Sequence, residues 1–199
     1  MASDFTLKTV RETFSLIVEE PNNLFAETSE VVPSNFLQTM LNENTALATG
    51  INTEKAGSEL IIAPILLDVR RHFDFQIGFF SGSEFNVHQS LGLNGYCDYI
   101  LTASSEIYEV RTPVVTLVEA KDENIKVGLG QCIAEMVAAQ LFNERQGNSI
   151  NCIIGAVTTG TDWKFIQLID KNLKIDKRDY YIVEINNILG ILSSPFLAR

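Results

Sequence analysis

The segment that most constrains the fold of this chain is the run Val114–Lys121, whose sequence is VVTLVEAK. Its first five residues are apolar or β-branched, which is typical of a strand buried within a sheet. Side chains alternate along a strand, so Glu119 and Lys121 share one face, while Val118 and Ala120 share the other. A carboxylate and an ammonium group at the end of a core strand lose hydration, and a divalent metal ion beside them would offset that cost. The run therefore predicts a buried strand that ends in a chemically active pair.

The length and composition of the chain favour one domain. It has 199 residues, of which 46% are hydrophobic, and no repeat, low-complexity tract or long linker divides it. We therefore predict a single domain over residues 1–199. No run approaches the roughly 18 apolar residues of a membrane span, so no membrane partner is expected.

The N-terminal residues and the cysteines bear on the cellular compartment. The first residues, MASDF, lack the basic and apolar regions of a secretory signal. Cys97, Cys132 and Cys152 are far apart and form no CxxC pair, so neither a disulfide framework nor a zinc site is favoured. We expect a cytoplasmic protein.

The net charge limits the partners that the surface can attract. At −10 it disfavours nonspecific binding to nucleic acid or to anionic membranes. Contact with nucleic acid would need a local basic patch or a bound metal ion. The basic cluster between Lys171 and Arg178 is diluted by aspartates, and a solvated hairpin is its default interpretation.

Hydrophobic spacing in the first third of the chain predicts helices. Apolar residues at helical intervals predict an amphipathic helix over about residues 4–19. Ser34 is a predicted N-cap for a second helix, which Gly50 would stop. A longer helical segment is expected over about residues 53–71, with Pro64 kinking or splitting it.

The rest of the chain predicts a mixed sheet with further helices. The expected order is helix, three antiparallel-type strands, helix and strand, which indicates a mixed α/β fold. Residues 1–50 would form a helical extension, residues 53–169 the core, and residues 170–199 a C-terminal strand and short helix. The predicted strands cover residues 73–80 and 85–87, joined by a hairpin turn at 81–83, and residues 96–102, 114–121, 150–157, 163–169 and 180–183; the predicted helices cover residues 129–145 and 188–192.

The core order and a set of polar residues together resemble the PD-(D/E)XK nuclease superfamily, which has the restriction-endonuclease-like fold. In that family an acidic residue begins the second core strand, and a (Glu/Asp)-x-Lys pair lies on the third. Asp98 matches the first feature, and Glu119-Ala120-Lys121 matches the second. The resemblance covers about residues 53–169, and it implies a Mg²⁺-dependent hydrolase that cuts DNA.

Two further positions extend the resemblance to the neighbouring helices. Members of the family often carry a Gln on the helix after the third strand and a Glu on the helix before the sheet, and Gln131 and Glu59 match them. The recombination-type branch has a Tyr four residues after the Gln, whereas this chain has Glu135. The signature of that branch is therefore incomplete here.

The chemistry of these residues agrees with the implied activity. The carboxylates of Asp98 and Glu119 and the carbonyl of Ala120 are hard oxygen ligands of the kind that Mg²⁺ prefers, and Mn²⁺ would substitute. The ion would lower the pKa of a bound water, and Lys121 would orient that water or accept its proton.

The remaining predicted site residues would have supporting roles. Glu59 would complete the outer sphere of the metal or hold a second ion. The amide of Gln131 would orient water or Lys121, because an amide cannot act as a general base.

Other interpretations of these residues stay open from the sequence alone. Asp98 could be a solvated residue of an edge strand, Glu119 and Lys121 a salt bridge at a strand end, and Gln131 and Glu59 ordinary helix-surface residues. The chain could then be a non-catalytic member of the same fold, acting as an interaction or assembly subunit, or an α/β protein of unrelated function. For a nuclease of this charge we expect weak or partner-assisted binding to DNA. A homodimer is a possible oligomeric state.

Overall fold

An open mixed sheet with helices on both faces forms the centre of the computed structural model, which describes residues 2–148, 150 and 152–197. Within these residues the eight strands, in chain order, are β1 (Ile17–Glu19), β2 (Gly78–Glu84), β3 (Tyr96–Thr102), β4 (Val114–Ala120), β5 (Cys152–Thr158), β6 (Asp162–Ile169), β7 (Asn172–Ile175) and β8 (Tyr180–Tyr181).

The helices connect and cover these strands. A π-helical segment, Ser58–Ile62, joins the third helix to the fourth, and short 3₁₀ turns lie at Ala2–Asp4, Gln89–Leu91 and Ile182–Glu184. The α-helices are α1 (Leu7–Phe14), α2 (Asn35–Ile51), α3 (Glu54–Gly57), α4 (Ala63–His72), α5 (Ile125–Arg145) and α6 (Ile185–Leu197).

The strand pairing places the strands of the predicted core side by side, with β2 at one edge of the sheet. The order across the sheet is β1-β7-β6-β5-β4-β3-β2, with β8 also paired to β6. Strands β2, β3 and β4 are antiparallel neighbours, and α5 then carries the chain to β5, which is parallel to β4. The prediction of a mixed α/β sheet flanked by helices is confirmed, and the element order α4-β2-β3-β4-α5-β5 follows the predicted sequence of core elements.

Each face of the sheet carries its own hydrophobic core. On one face α1 and α5 pack residues such as Val10, Ile133 and Val137 against Leu117 of β4. On the other, the π-helical segment, α4 and α6 pack against a surface that includes Val118 and the aromatic residues of β6. The alternation predicted along β4 is therefore the alternation between the two cores.

Helix α5 is the most enclosed of the described helices that cover the sheet. It is long and apolar enough to cross a membrane, but 61% of its apolar window is buried inside the protein. Among the residues predicted to face the sheet, Ala134, Val137 and Ala138 are buried and Leu141 is partly buried. These features identify α5 as the core helix of a soluble-looking α/β protein.

The N-terminal helix is shorter than its hydrophobic spacing predicts. Helix α1 begins after the N-cap Thr6 and ends at Ser15, which has a left-handed backbone (φ 53°). The chain then turns, and Ile17 donates its backbone N–H to the carbonyl of Lys171 at the start of the parallel β1–β7 pair. The predicted helix over residues 4–19 is wrong after Phe14, and the predicted helical extension contributes a strand to the sheet.

The hairpin predicted at residues 81–83 is also wrong. Strand β2 runs through this segment, and Ser81 and Ser83 pair with Tyr99 and Cys97 of β3. Gly82 absorbs a local irregularity with a positive φ of 58°, which glycine adopts without strain. The chain reverses instead between β2 and β3, because β3 supplies the partner that the prediction assigned to residues 85–87.

Other predicted boundaries hold with small shifts. The N-cap Ser34 is confirmed, since its hydroxyl oxygen accepts the N–H of Leu37 at 3.1 Å. Helix α2 ends one residue beyond Gly50, and Pro64 lies in the first turn of α4, directly after the π-helical segment. The strand predicted over residues 150–157 begins at residue 152, and Asn151 lies outside the described residues.

The C-terminal part holds more structure than predicted. The predicted solvated hairpin contains β7, whose side chains at Leu173 and Ile175 are buried. Only the first two residues of the strand predicted over 180–183 are extended, and the terminal helix runs for 13 residues instead of the five predicted.

Candidate functional site

Two carboxylates come close where the pairing of β3 and β4 ends. The last pair of the register at this end is Tyr99 with Val118, and Asp98 and Glu119 are the next residues of the two strands. The charge of Asp98 contributes to raising the pKa of Glu119, in keeping with their proximity. Asp98 Oδ2 also accepts the backbone N–H of Ala120 at 2.8 Å, which fixes its carboxylate at the end of β4.

Lys121 completes the strand-end group. Its Nζ lies 2.5 Å from Glu119 Oε1, and the Glu119 side chain is only 1% exposed. Lys121 itself is 18% exposed and also lies 4.0 Å from Glu54 Oε2. Glu54 is the first residue of α3, directly after the N-cap Thr53. One ammonium group is therefore shared between a strand carboxylate and a helix carboxylate.

Helix α5 brings an amide to the other oxygen of Glu119. Gln131 Nε2 donates to Glu119 Oε2 at 3.0 Å and to Glu135 Oε1 at 3.0 Å. Glu135 lies one helical turn after Gln131 and is 2% exposed. Its second oxygen, Oε2, is buried and has no hydrogen-bond partner among the described residues.

The absence of a side chain at Gly128 lets the start of α5 approach the site. A Cβ on this residue would lie 2.7 Å from Val157 Cγ1 and 3.2 Å from Lys121 Cγ and Cε. Contacts below 3.0 Å require atoms to shift, so any larger residue would push α5 away from β4 and β5. The close approach sets the position of Gln131 relative to Glu119.

Burial perturbs the acid–base behaviour of this group. Burial raises the pKa of Glu119 to about 9, and the charges of Glu135 and Asp98 reinforce the rise against the opposing effect of Lys121. Burial likewise raises the pKa of Glu135 to about 8, although the hydrogen bond from Gln131 lowers it. Because both oxygens of Glu119 accept from donors while Glu135 Oε2 has none, Glu135 is the better holder of a proton near neutral pH.

The ammonium group of Lys121 responds in the opposite sense to burial. Burial lowers its pKa, but the hydrogen bond and charge of Glu119, together with the charge of Glu54, outweigh burial and raise the pKa above its ordinary value. Lys121 is therefore protonated at neutral pH.

Four of the residues predicted from the sequence come together. Asp98, Glu119 and Lys121 share the end of the β3–β4 pair, and Gln131 bonds to Glu119. The side chain of Ala120 packs into the core on the opposite face, and a ligand role for its carbonyl stays a prediction.

The predicted helix carboxylate, Glu59, lies apart from these contacts. It is exposed in the π-helical segment and pairs with Lys55 at 3.6 Å. The carboxylate of this helical region that approaches Lys121 is instead Glu54. Its place after a capping threonine gives no sign of a functional role, because acidic residues are common in the first turn of any helix.

Glu135 was noted in the sequence only as a departure from a family pattern. A signal for it did exist, because residues four apart on a helix face the same direction and the side chains of Gln131 and Glu135 can bond. Its burial could not be inferred, since that depends on how deeply α5 sinks onto the sheet.

The donor atoms of the site fit Mg²⁺ or Mn²⁺ in kind. Carboxylate oxygens of Asp98 and Glu119, with that of Glu54 nearby, are hard ligands. Lys121, however, lies on the Glu119 oxygen that a metal ion would take. Accordingly, no group of three or more His, Cys, Asp or Glu side chains within residues 2–148, 150 and 152–197 is already gathered as a metal site.

Comparison with known proteins leaves the site to be interpreted from its own chemistry. No family model, no curated protein and no solved structure matches the chain. The functional inference therefore rests on the residues at the end of β4 and on their contacts.

Proposed function

We propose that this chain is a metal-dependent phosphodiesterase that hydrolyses DNA with a site of the PD-(D/E)XK type. The observation that carries the proposal is the meeting of three side chains at the end of β4: Asp98 accepts the N–H of Ala120, and Lys121 Nζ lies on Glu119 Oε1. The order of the core elements, with β2, β3 and β4 antiparallel and α5 leading to β5, supports the same family.

The metal ion would be held by Asp98 and Glu119, with the carbonyl of Ala120 as a further oxygen ligand. When bound, Mg²⁺ or Mn²⁺ would polarise a phosphate oxygen and lower the pKa of a water molecule. The ion would have to replace Lys121 at Glu119, which would release the ammonium group toward the substrate.

The chain's own residues would then position the reacting groups. Released from Glu119, Lys121 would orient the water or accept its proton. Gln131 would hold Glu119 in place, and Glu54 would keep Lys121 within reach of the site.

Binding of DNA would depend on more than this site. A net charge of −10 repels the phosphate backbone over most of the surface. Affinity should therefore be weak and should fall with salt, unless a basic partner or a second copy of the chain supplies positive charge.

The second candidate is a non-catalytic member of the same fold that acts as an interaction or assembly subunit. One observation favours it: Lys121 and Gln131 already satisfy both oxygens of Glu119 without a metal ion. A site that is complete in this way could be retained for stability alone.

A cleavage assay with paired variants separates the two candidates. We expect the purified chain to cut DNA in Mg²⁺ or Mn²⁺, to lose this activity in EDTA and to show little in Ca²⁺, whose looser coordination places the water less well. Lys121→Ala should abolish cleavage and spare metal binding, whereas Glu119→Ala should abolish both.

Matched controls come from the exposed face of α1. Lys8→Ala and Glu12→Ala remove the same kinds of charge from exposed positions that contact none of the site side chains and should cut like the wild type. Equal residual activity in the wild type, Lys121→Ala and Glu119→Ala would indicate a contaminant, and the non-catalytic candidate would then be preferred.

A further inference from the structure

The amide of Gln131 uses both of its hydrogens on carboxylates. Its Nε2 carries two N–H groups, and it donates to Glu119 on β4 and to Glu135 on its own helix. No hydrogen bond among the described residues engages the amide oxygen, Oε1. The amide can therefore take only one of its two orientations without losing both bonds.

The same helix contains a second pair with the same spacing. Gln140 Nε2 donates to Glu144 Oε1 at 3.2 Å on an exposed surface, where water can replace either partner. Glu135, by contrast, is almost completely buried. Besides the amide of Gln131, its carboxyl group meets only the weakly donating thiol of Cys97, and Oε2 has no geometric hydrogen bond among the described residues. A buried carboxyl group without a full set of partners is costly, so a purely structural role would be served better by an apolar residue.

We infer that Glu135 is a positioning residue, whose carboxyl group fixes the amide of Gln131 so that Nε2 faces Glu119 and Oε1 remains available as an acceptor. The consequence for catalysis rests on the proposed nuclease function, whereas the orientation of the amide does not. Glu135 thus acts on Glu119 through Gln131 and contacts neither substrate nor metal.

Replacement by leucine distinguishes this role from a structural one. Glu135→Leu is one bond shorter than glutamate but apolar, and it removes the acceptor, so we expect the thermal midpoint to rise at neutral pH or above while kcat falls. Supporting residues of this kind typically change activity by about 10- to 100-fold. The KM for DNA should not change, because Glu135 lies beneath the site. Glu135→Gln, which keeps a neutral acceptor, should be intermediate in kcat.

The amide itself supplies a measurement that does not need activity. In ¹⁵N-labelled protein we expect the side-chain NH₂ signals of Gln131, assigned by their loss in Gln131→Met, to shift in Glu135→Leu. Glu144→Leu is the matched control and should shift only the signals of Gln140, with kcat unchanged. If Glu135→Leu does not fold, Glu135→Gln gives the same measurement with a smaller shift.

The outcomes separate this inference from the proposed function. Unchanged Gln131 signals in Glu135→Leu would overturn the positioning role whatever the cleavage assay gives. Shifted signals with a wild-type kcat would overturn it as well, because the orientation would then have no use. If the wild type cuts no DNA, the nuclease proposal fails, and the signals of Gln131 alone decide whether Glu135 orients it.

Discussion

At the scale of single residues, the site is a group of acids held together by few donors. Glu119 is buried with Lys121 on one oxygen and Gln131 on the other. Charges buried in this way are stable only while their partners remain. The energetic cost of burying the Glu119 carboxylate therefore depends on Lys121.

Removing Lys121 should destabilise the protein through Glu119. Loss of one partner from a buried ion pair typically costs about 3–5 kcal/mol. We expect Lys121→Ala to lower the free energy of unfolding by an amount near the lower end of that range, because Lys121 is partly exposed. The double variant Lys121→Ala/Glu119→Gln should recover most of the loss, since no unpaired charge remains. Urea denaturation of the wild type, Lys121→Ala, Glu119→Gln and the double variant checks this, and additive losses would contradict it.

The raised pKa values predict how stability depends on pH. An acid with an ordinary pKa of 4.5 and a folded pKa of about 8, as for Glu135, keeps its proton in the folded state while the unfolded chain loses it. Stability therefore falls as pH rises between these values, by up to about 1.4 kcal/mol per pH unit for each such group.

Glu135→Leu should make this slope shallower. Across the pH range, the thermal midpoint of Glu135→Leu should exceed that of the wild type most at the alkaline end and little at the acidic end. Glu144→Leu should reproduce the wild-type slope. A constant difference between Glu135→Leu and the wild type at all pH values would contradict a protonated Glu135.

At the scale of secondary structure, the helical region over residues 54–72 is held against the sheet by a close contact. A Cβ on Gly57 would lie 2.8 Å from the carbonyl oxygen of Thr159, in the turn after β5. The π-helical segment follows at once, and Glu54 lies three residues earlier. The same contact therefore helps to set the distance between Glu54 and Lys121.

Gly57→Ala should lower stability, although alanine is a better helix former than glycine. The methyl group must displace backbone, and such overpacking costs about 1–3 kcal/mol. Gly50→Ala on α2 is the matched control, because nothing lies within 4 Å of a Cβ there. That variant should gain up to about 1 kcal/mol from helix propensity. Urea denaturation measures the stability of both variants. Stabilisation by both substitutions would show that a methyl group at position 57 fits without displacing backbone.

Local signals account for the elements that the sequence predicts well. The N-cap at Ser34, the irregularity near Pro64 and the strand at Val114–Ala120 depend on residues within a few positions of each other. Residues 17–19 and 81–83 were assigned wrongly because their partners, β7 and β3, decide their conformation. Helical spacing alone cannot show that a distant strand will pair with Ile17.

The residues of the candidate site also fall into two groups: those that a local pattern predicts and those whose position depends on packing. The shared face of Glu119 and Lys121 follows from the period of a strand, and Asp98 follows from the predicted neighbouring strand. The approach of Glu54 depends on how α3 packs, and the burial of Glu135 depends on the glycines of α5. Neither of those packing distances is encoded in a short pattern.

At the scale of the whole molecule, acidic residues outnumber basic ones by 25 to 15. Repulsion among them opposes the compact state, and a bound divalent ion would relieve it most where acids face each other. A metal ion that binds the folded state raises its stability by mass action.

We therefore expect Mg²⁺ to raise the thermal midpoint of the wild type but not of Asp98→Asn. In chelator, Asp98→Asn should be as stable as the wild type or more so, because an asparagine oxygen can still accept the N–H of Ala120. Asp170→Asn, at an exposed turn, should keep the response to Mg²⁺. A large loss of stability in Asp98→Asn without metal would identify Asp98 as a structural residue.

The parallel pairing of β1 with β7 has a consequence for how the chain can be made and divided. Ile17 leaves the ribosome early, but its partner Asn172 is added only after the rest of the central sheet has been synthesised. Until then the edge of β6 is open, and open edges attract strands of other molecules. A fragment that stops at residue 169 would keep this edge permanently and should self-associate. The predicted core, residues 53–169, is therefore a poor choice for isolating the candidate site.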